Sequence, residues 1–181
     1  MAIRIKNITA DDFDEIIFLC DSAFGKNYIV KDYLEQFVFA ENGFGFVAFY
    51  KNELAGFVLN NVFSNNYIPE NKLLIKISFL ISTQEFGVLK TMAIKEQYQQ
   101  KGIGNALIDY SLKTFGEKTK RIVSIVWDHP GNYLTKLLGK KHFKYIETIP
   151  DFWKEESTNR KFECKLCGSP PCLCTAQIWL K

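Results

Sequence analysis

The chain has little that would anchor it or spread it over a large partner. Its most apolar window, Leu73 to Ile81, is short and contains Lys76, far below the ~20 residues of a spanning helix, so no membrane association is expected. The opening Met-Ala-Ile-Arg-Ile-Lys has no apolar signal core, and the expected location is cytoplasmic. Charge of one sign is scarce as well. A net charge of +3 is too mild to argue for a nucleic-acid groove, so nucleic acid is not expected as a partner, while a small polyanionic ligand is served equally well. No internal repeat is visible. Aromatic residues are plentiful, at 15% with sixteen Phe, which predicts a bulky core. At 181 residues one domain can bury roughly 70% of its unfolded surface without disulfides.

Ile3 and Ile5 alternate with Arg4 and Lys6 as in a strand. Thr9 and Asp12 then have capping-box spacing ahead of a helical face at Phe13, Ile16, Ile17, Cys20 and Phe24, which puts Cys20 in the core. A second helix is expected over Val30 to Ala40, and a hairpin from Phe44 to Tyr50 and Leu54 to Phe63, with Gly56 marking a bulge. Leu73 to Ile81 fits either a helix or a strand, and helix is preferred. Strands are expected at Val88 to Ile94, Ile122 to Trp127, Phe143 to Ile149 and Ala176 to Leu180, with helices from the glycine-rich loop to near Gly116 and over Asn132 to Lys140. Hairpin strands followed by strand–helix–strand units make an α/β protein with a mixed sheet.

The segment Gln99-Gln100-Lys101-Gly102-Ile103-Gly104 joins an apolar strand to a helix. Glycines there let backbone approach an anion, and the free N–H groups of the helix's first turn supply donors, so the segment reads as a phosphate cradle. The other reading is that the glycines serve close packing of helix on strand.

The stretch Met92 to Leu107, with Gln99, Gly102 and Gly104 meeting Gln/Arg-x-x-Gly-x-Gly/Ala, resembles the signature segment of the GNAT superfamily of acyl-CoA-dependent N-acetyltransferases. The strand and helix order over residues 1–149 is similar too. The resemblance implies a mixed, mostly antiparallel sheet flanked by helices in a single domain over residues 1–181. It implies acetyl-CoA as cosubstrate and direct transfer of its acetyl group to an amine of a small molecule or protein. Backbone at Met92, Ala93 and Ile94 would pair with the pantetheine arm and acyl carbonyl. Amides of Gln99, Gln100, Lys101, Gly102, Ile103, Gly104 and Asn105 would bind the pyrophosphate, and Asn132 would contact the cofactor's arm or simply cap the helix after it. Lys118, Lys120 and Arg121 could lie near the outer phosphates, or each could simply belong to a solvated charged turn.

The catalytic pattern departs from the family's. Aligning on Phe143 puts Leu138 where a tyrosine usually protonates the leaving thiolate, and His142 where glycine is usual. Tyr133 is the preferred substitute acid, with Tyr145 as another. An amine must lose its proton before attacking a thioester. Glu85, Asp128 and His129 are candidate bases, and the imidazole of His129 is chemically the best suited. The missing tyrosine also motivates an alternative, an inactive GNAT-like module that binds a protein or nucleic acid.

Residues 154–174 read as a polar insertion between the last two strands. Cys164-x-x-Cys167 and Cys172-x-Cys174 lie within it, and the turn Gly168-Ser169-Pro170-Pro171 could bring the two pairs together. Such clustering favours structural zinc over disulfides, with a redox dithiol or free thiols as the other readings. In the resembling fold this loop borders the acceptor site. No stretch encodes the acceptor amine, and a homodimer stays open as an oligomeric state.

Overall fold

A computed structural model describes residues 2–64 and 85–181. One seven-stranded sheet has the order β1-β2-β3-β4-β5-β7-β6. Its strands are β1 (Arg4–Asn7), β2 (Gly43–Tyr50), β3 (Glu53–Ser64), β4 (Glu85–Ile94), β5 (Ile122–Trp127), β6 (Lys144–Ile149) and β7 (Ala176–Leu180). Every neighbouring pair is antiparallel except β4 with β5. The expected mixed, mostly antiparallel sheet is therefore what forms. The preferred helix at Leu73 to Ile81 lies outside the described residues.

The period of the strands sorts side chains to two faces. Phe46, Ala48 and Val58 pack under α3 (Ile103–Gly116), with its Ile103, Leu107, Ile108 and Phe115, and beside α4 (Leu134–Lys140). Val47, Phe57 and Leu59 point the other way, onto α1 (Phe13–Ala23) and α2 (Lys31–Val38). Cys20 is fully buried in that second layer, as its helical position implied, and burial pushes its thiol well up. The Thr9–Asp12 capping reading holds: the Thr9 amide and hydroxyl both donate to Asp12 Oδ2, at 2.8 and 3.0 Å, and Lys6 Nζ sits 2.8 Å from the same oxygen.

Besides an irregularity in β6 between Tyr145 and Glu147, two register shifts shape the sheet. One leaves Ala55 unmatched beside Gly56, where the bulge was expected. The other leaves Lys90 of β4 without a counterpart on β3. A bulge bends its strand and increases local twist. Parallel pairing of β4 with β5 stops at this point, after Gly87, Val88 and Leu89 meet Ile122, Val123 and Ser124. Beyond it the two strands splay, and the β5-side edge of residues 90–94 has no strand partner among the described residues.

Residues 154–174 do fall between β6 and β7, and they contain a short helix that was not expected, α5 (Lys154–Arg160). Its sequence, Lys-Glu-Glu-Ser-Thr-Asn-Arg, has no apolar stripe to announce it. A polar residue anchors it instead, because buried Ser157 accepts the Cys172 amide at 2.8 Å.

Candidate functional site

A cavity of about 1060 Å³ occupies the splay. At one end it is bounded by Met92, Ala93 and Ile94 of β4 and by the glycine-rich loop. Gly102 has φ +83°, and a Cβ built on it would meet nothing within 4 Å, so glycine is required by the backbone conformation and its open side faces empty space. The first bond of α3 runs from the Ala106 amide to the Gly102 carbonyl, at 3.0 Å. The amides ahead of it are the orphan donors of a helix N-terminus, with the positive end of the dipole behind them.

Gln99, Gln100, Gly102, Ile103, Gly104 and Asn105 all border the cavity, and Lys101 does not. Gln100 and Gly102 both have positive φ, which leaves exposed Lys101 at the tip of the turn between them. Gly104 also serves packing: its Cβ position is 3.7 Å from Met92 and from Leu137.

Asn132 borders the cavity and has both local roles of a cap. Its amide nitrogen donates to the Trp127 carbonyl, and its Oδ1 accepts the Leu134 amide at 2.8 Å. The loop after β5 is thereby closed, which holds His129 and Tyr133 at the cavity. His129 stacks on Trp127, ring centroids 4.5 Å apart, and its Nδ1 is 2.9 Å from the Pro130 carbonyl oxygen. A carbonyl can only accept, so the neutral ring carries its proton on Nδ1 and offers a lone pair at Nε2. Tyr133 is 58% exposed at the start of α4.

The other sequence candidates lie elsewhere. Glu85 opens β4 at the end away from the splay, in a separate shallow cavity with Lys118, Lys120 and Arg121. Those three cations follow the fourteen-residue α3, which puts them about 20 Å from the glycine loop, too far for a cofactor's outer phosphates. Asp128 and Tyr145 do not border the main cavity, and the Tyr145 hydroxyl is within 2.8 Å of Thr148. Leu138 is fully buried in the core, while His142 has φ +65°, the conformation for which glycine is the usual residue.

The far end of the cavity is built from residues no motif marked. Phe24 and Tyr28, from the α1–α2 connection, meet Trp127, Trp153 and Phe162 there. Burial pushes the Tyr28 hydroxyl well above its ordinary acidity range, against the pull of a hydrogen bond with Thr91, so it stays neutral.

Cys164, Cys172 and Leu166 close this end. The four sulfurs of Cys164, Cys167, Cys172 and Cys174 all lie within 4.8 Å of one another, with no disulfide. Cys174 Sγ is 3.6 Å from Cys164 Sγ and 3.5 Å from Cys167 Sγ. A zinc ion with Zn–S bonds of about 2.3 Å sets tetrahedral sulfurs about 3.8 Å apart, so the cluster fits that ion. The knuckle is a tight backbone pair, Cys164 and Gly168 exchanging both hydrogen bonds at 2.8 Å, with Gly168 at φ +77°. Burial opposes the Cys164 thiolate. The amides of Cys167 and Leu166, together with hydrogen bonds from Cys172 and Cys174, outweigh that and hold the thiol below its ordinary range. Burial pushes Cys174 up to about 11, partly offset by the Trp127 indole, whose N–H is buried with no other partner among the described residues.

A strand edge left open beside a glycine-started helix fits the acyl-CoA-dependent transferase that the sequence resembles. Residues 9–139 match the model of the acetyltransferase (GNAT) family, and the chain belongs to that family. It is an acetyl-CoA-dependent N-acetyltransferase that transfers the acetyl group to an amine. An N-alpha-acetyltransferase of Sulfurisphaera tokodaii is 29% identical over 150 residues, which are 79% of this chain and 83% of that protein. Arabidopsis thaliana NAA60, solved with a bisubstrate analogue, superposes with a TM-score of 0.75 at 16% identity, over 99% of this chain and 97% of its own. The ribosomal-protein-S18-alanine N-acetyltransferase of Escherichia coli gives 0.67 at 11% identity, over 99% and 92%. Among the described residues no helix is long and apolar enough to cross a membrane.

Proposed function

We propose that the acceptor is the α-amine of a polypeptide whose first side chain is apolar or neutral. The observation that carries this is the make-up of the far end of the cavity: aromatic rings and Leu166, with Lys90 and Lys165 at its border and no carboxylate among the described lining residues there. A polyamine or another polycation would meet cations and apolar surface, an unfavourable exchange for its hydration. An α-amine, with a pKa of about 8 against about 10.4 for a lysine side chain, is also the easier group to deprotonate at neutral pH. The Sulfurisphaera relative, named an N-alpha-acetyltransferase, supports the same choice.

In this reading the acetyl-CoA arm lies along Met92 to Ile94, with the pyrophosphate on the amides of Gln100 to Asn105, since the Gln99 amide already donates to the Glu96 carbonyl at 3.1 Å. The acceptor nitrogen attacks the thioester carbonyl, forming the C–N bond, and its proton passes to Nε2 of His129. As the C–S bond breaks, Tyr133 gives its proton to the leaving thiolate. Cys164, Cys167, Cys172 and Cys174 hold a structural zinc ion, which has four thiolates and no open position for chemistry. The test is acetyl-CoA turnover on a panel of free and N-terminally blocked peptides, lysine side chains and polyamines, with the acetylated atom located by mass spectrometry. Acetyl on the α-nitrogen of free peptides alone is expected; acetylation confined to lysine side chains or polyamines would overturn the proposal.

A further inference from the structure

The Cys-rich segment is sewn to the α1–α2 connection by main chain. The Glu163 amide donates to the Lys26 carbonyl at 2.9 Å, and the Lys165 amide to the Phe24 carbonyl at 2.7 Å. Lys165 Nζ reaches the Ser22 carbonyl at 2.8 Å. Between these contacts sits Gly25, at φ +120°, where a Cβ would fall 2.2 Å from the Glu163 oxygen. Only glycine fits there, and it fits because the knuckle lies against it. Phe24 and Tyr28, on either side, are walls of the acceptor end.

From this the geometry points to a positioning role for the metal. We infer that zinc bound by Cys164, Cys167, Cys172 and Cys174 holds the knuckle in the shape that pins residues 24–28, so that metal occupancy sets acceptor affinity while acetyl-CoA affinity is independent of it. This rests on reading the aromatic end as the acceptor site. The physical ground is that residues 161–175 have no strand pairing beyond the knuckle's own bridge and bury little besides Phe162, Cys164 and Cys172. Without the metal only a few hydrogen bonds and these three buried side chains offset the entropy of ordering such a loop. The donor end shares none of these contacts, since it is carried by β4, the glycine loop and α3.

The test uses the full chain, as purified and after zinc is stripped with a chelator. Metal analysis should find one zinc per chain, and cobalt exchanged for it should show the visible absorption of a tetrahedral thiolate site. Hydrogen–deuterium exchange at residues 24–29 should rise about tenfold on stripping, with residues 92–105 unchanged. The KM for an acceptor peptide should rise about tenfold while the calorimetric affinity for acetyl-CoA stays the same, and added zinc should restore both readouts. Gly25→Ala should keep its zinc and still show the raised exchange and acceptor KM, which separates the tether from mere loss of the knuckle's fold. Iron or no metal in the protein, or unchanged exchange at 24–29 after stripping, would overturn the inference. If no peptide is acetylated, the reading of the acceptor fails, and the exchange experiment still decides the tether.

Discussion

The two ends of the cavity are made of different material. The donor end is main chain: an open strand edge, a left-handed glycine and the amides that begin a helix. The end we propose for the acceptor is side chains, five aromatic rings and a cysteine knuckle brought together from the α1–α2 connection, the end of β5 and the insertion after β6. Binding by backbone needs only a few residues of fixed conformation, so it leaves a short local pattern. Binding by converging side chains leaves none, because each residue is ordinary where it stands in the chain.

Removing the chemistry should give the largest effect and leave both ends intact. His129→Ala is expected to lower kcat about 100-fold, and Tyr133→Phe about tenfold, with acetyl-CoA affinity by calorimetry unchanged in each. A full-activity His129→Ala enzyme would return the base to solvent. Gly102→Val should next break the donor end alone. A β-branched residue at φ +83° is strained, and its side chain enters the space meant for phosphate, so acetyl-CoA affinity should fall about 30-fold or more while zinc content holds.

Stability can be probed away from both ends through Asp12. This carboxylate anchors the start of α1, whose other end leads to Phe24. Burial raises its pKa, but Lys6 and the Thr9 amide and hydroxyl overcome that and hold it below the ordinary value of 3.8. A lowered native pKa means stability that is present above about pH 4 and lost as pH falls through the native value. Asp12→Ala should therefore cost about 1 kcal/mol at neutral pH in a denaturant titration, and the deficit should vanish in acid. The smallest effects should come from the opposite end of β4. Glu85→Gln, Lys118→Ala and Arg121→Ala are expected to leave kcat and acetyl-CoA affinity within about twofold, since none of these residues borders the main cavity.

The same contrast explains what was legible in the sequence. β5 and β7 have the bounds their apolar runs imply, and α3 begins and ends at its glycines. β4 begins earlier than expected, at Glu85, because Phe86 and Gly87 are as buried as the run after them. α5 was hidden by a wholly polar sequence whose one buried side chain is a serine. Tyr28, Trp127, Trp153 and Phe162 carry no motif in the sequence, and only the fold shows that they face a common space. Of the two readings of Lys118, Lys120 and Arg121, outer-phosphate ligands or a solvated charged turn, their place a helix length from the glycine loop favours the second. His142 departs from the family's glycine in residue type yet keeps the backbone conformation that glycine would supply. Its departure therefore says little about catalysis, whereas buried Leu138 leaves the proton for the thiolate to another group.

Backbone amide chemical shifts followed during titration with acetyl-CoA test the central claim most directly, because the claimed donor site is made of amides. The account predicts saturable changes concentrated at Met92 to Ile94 and Gln99 to Asn105, the same in zinc-loaded and zinc-stripped protein. Changes centred on residues 116–121, or no saturable change at the glycine loop, would contradict it.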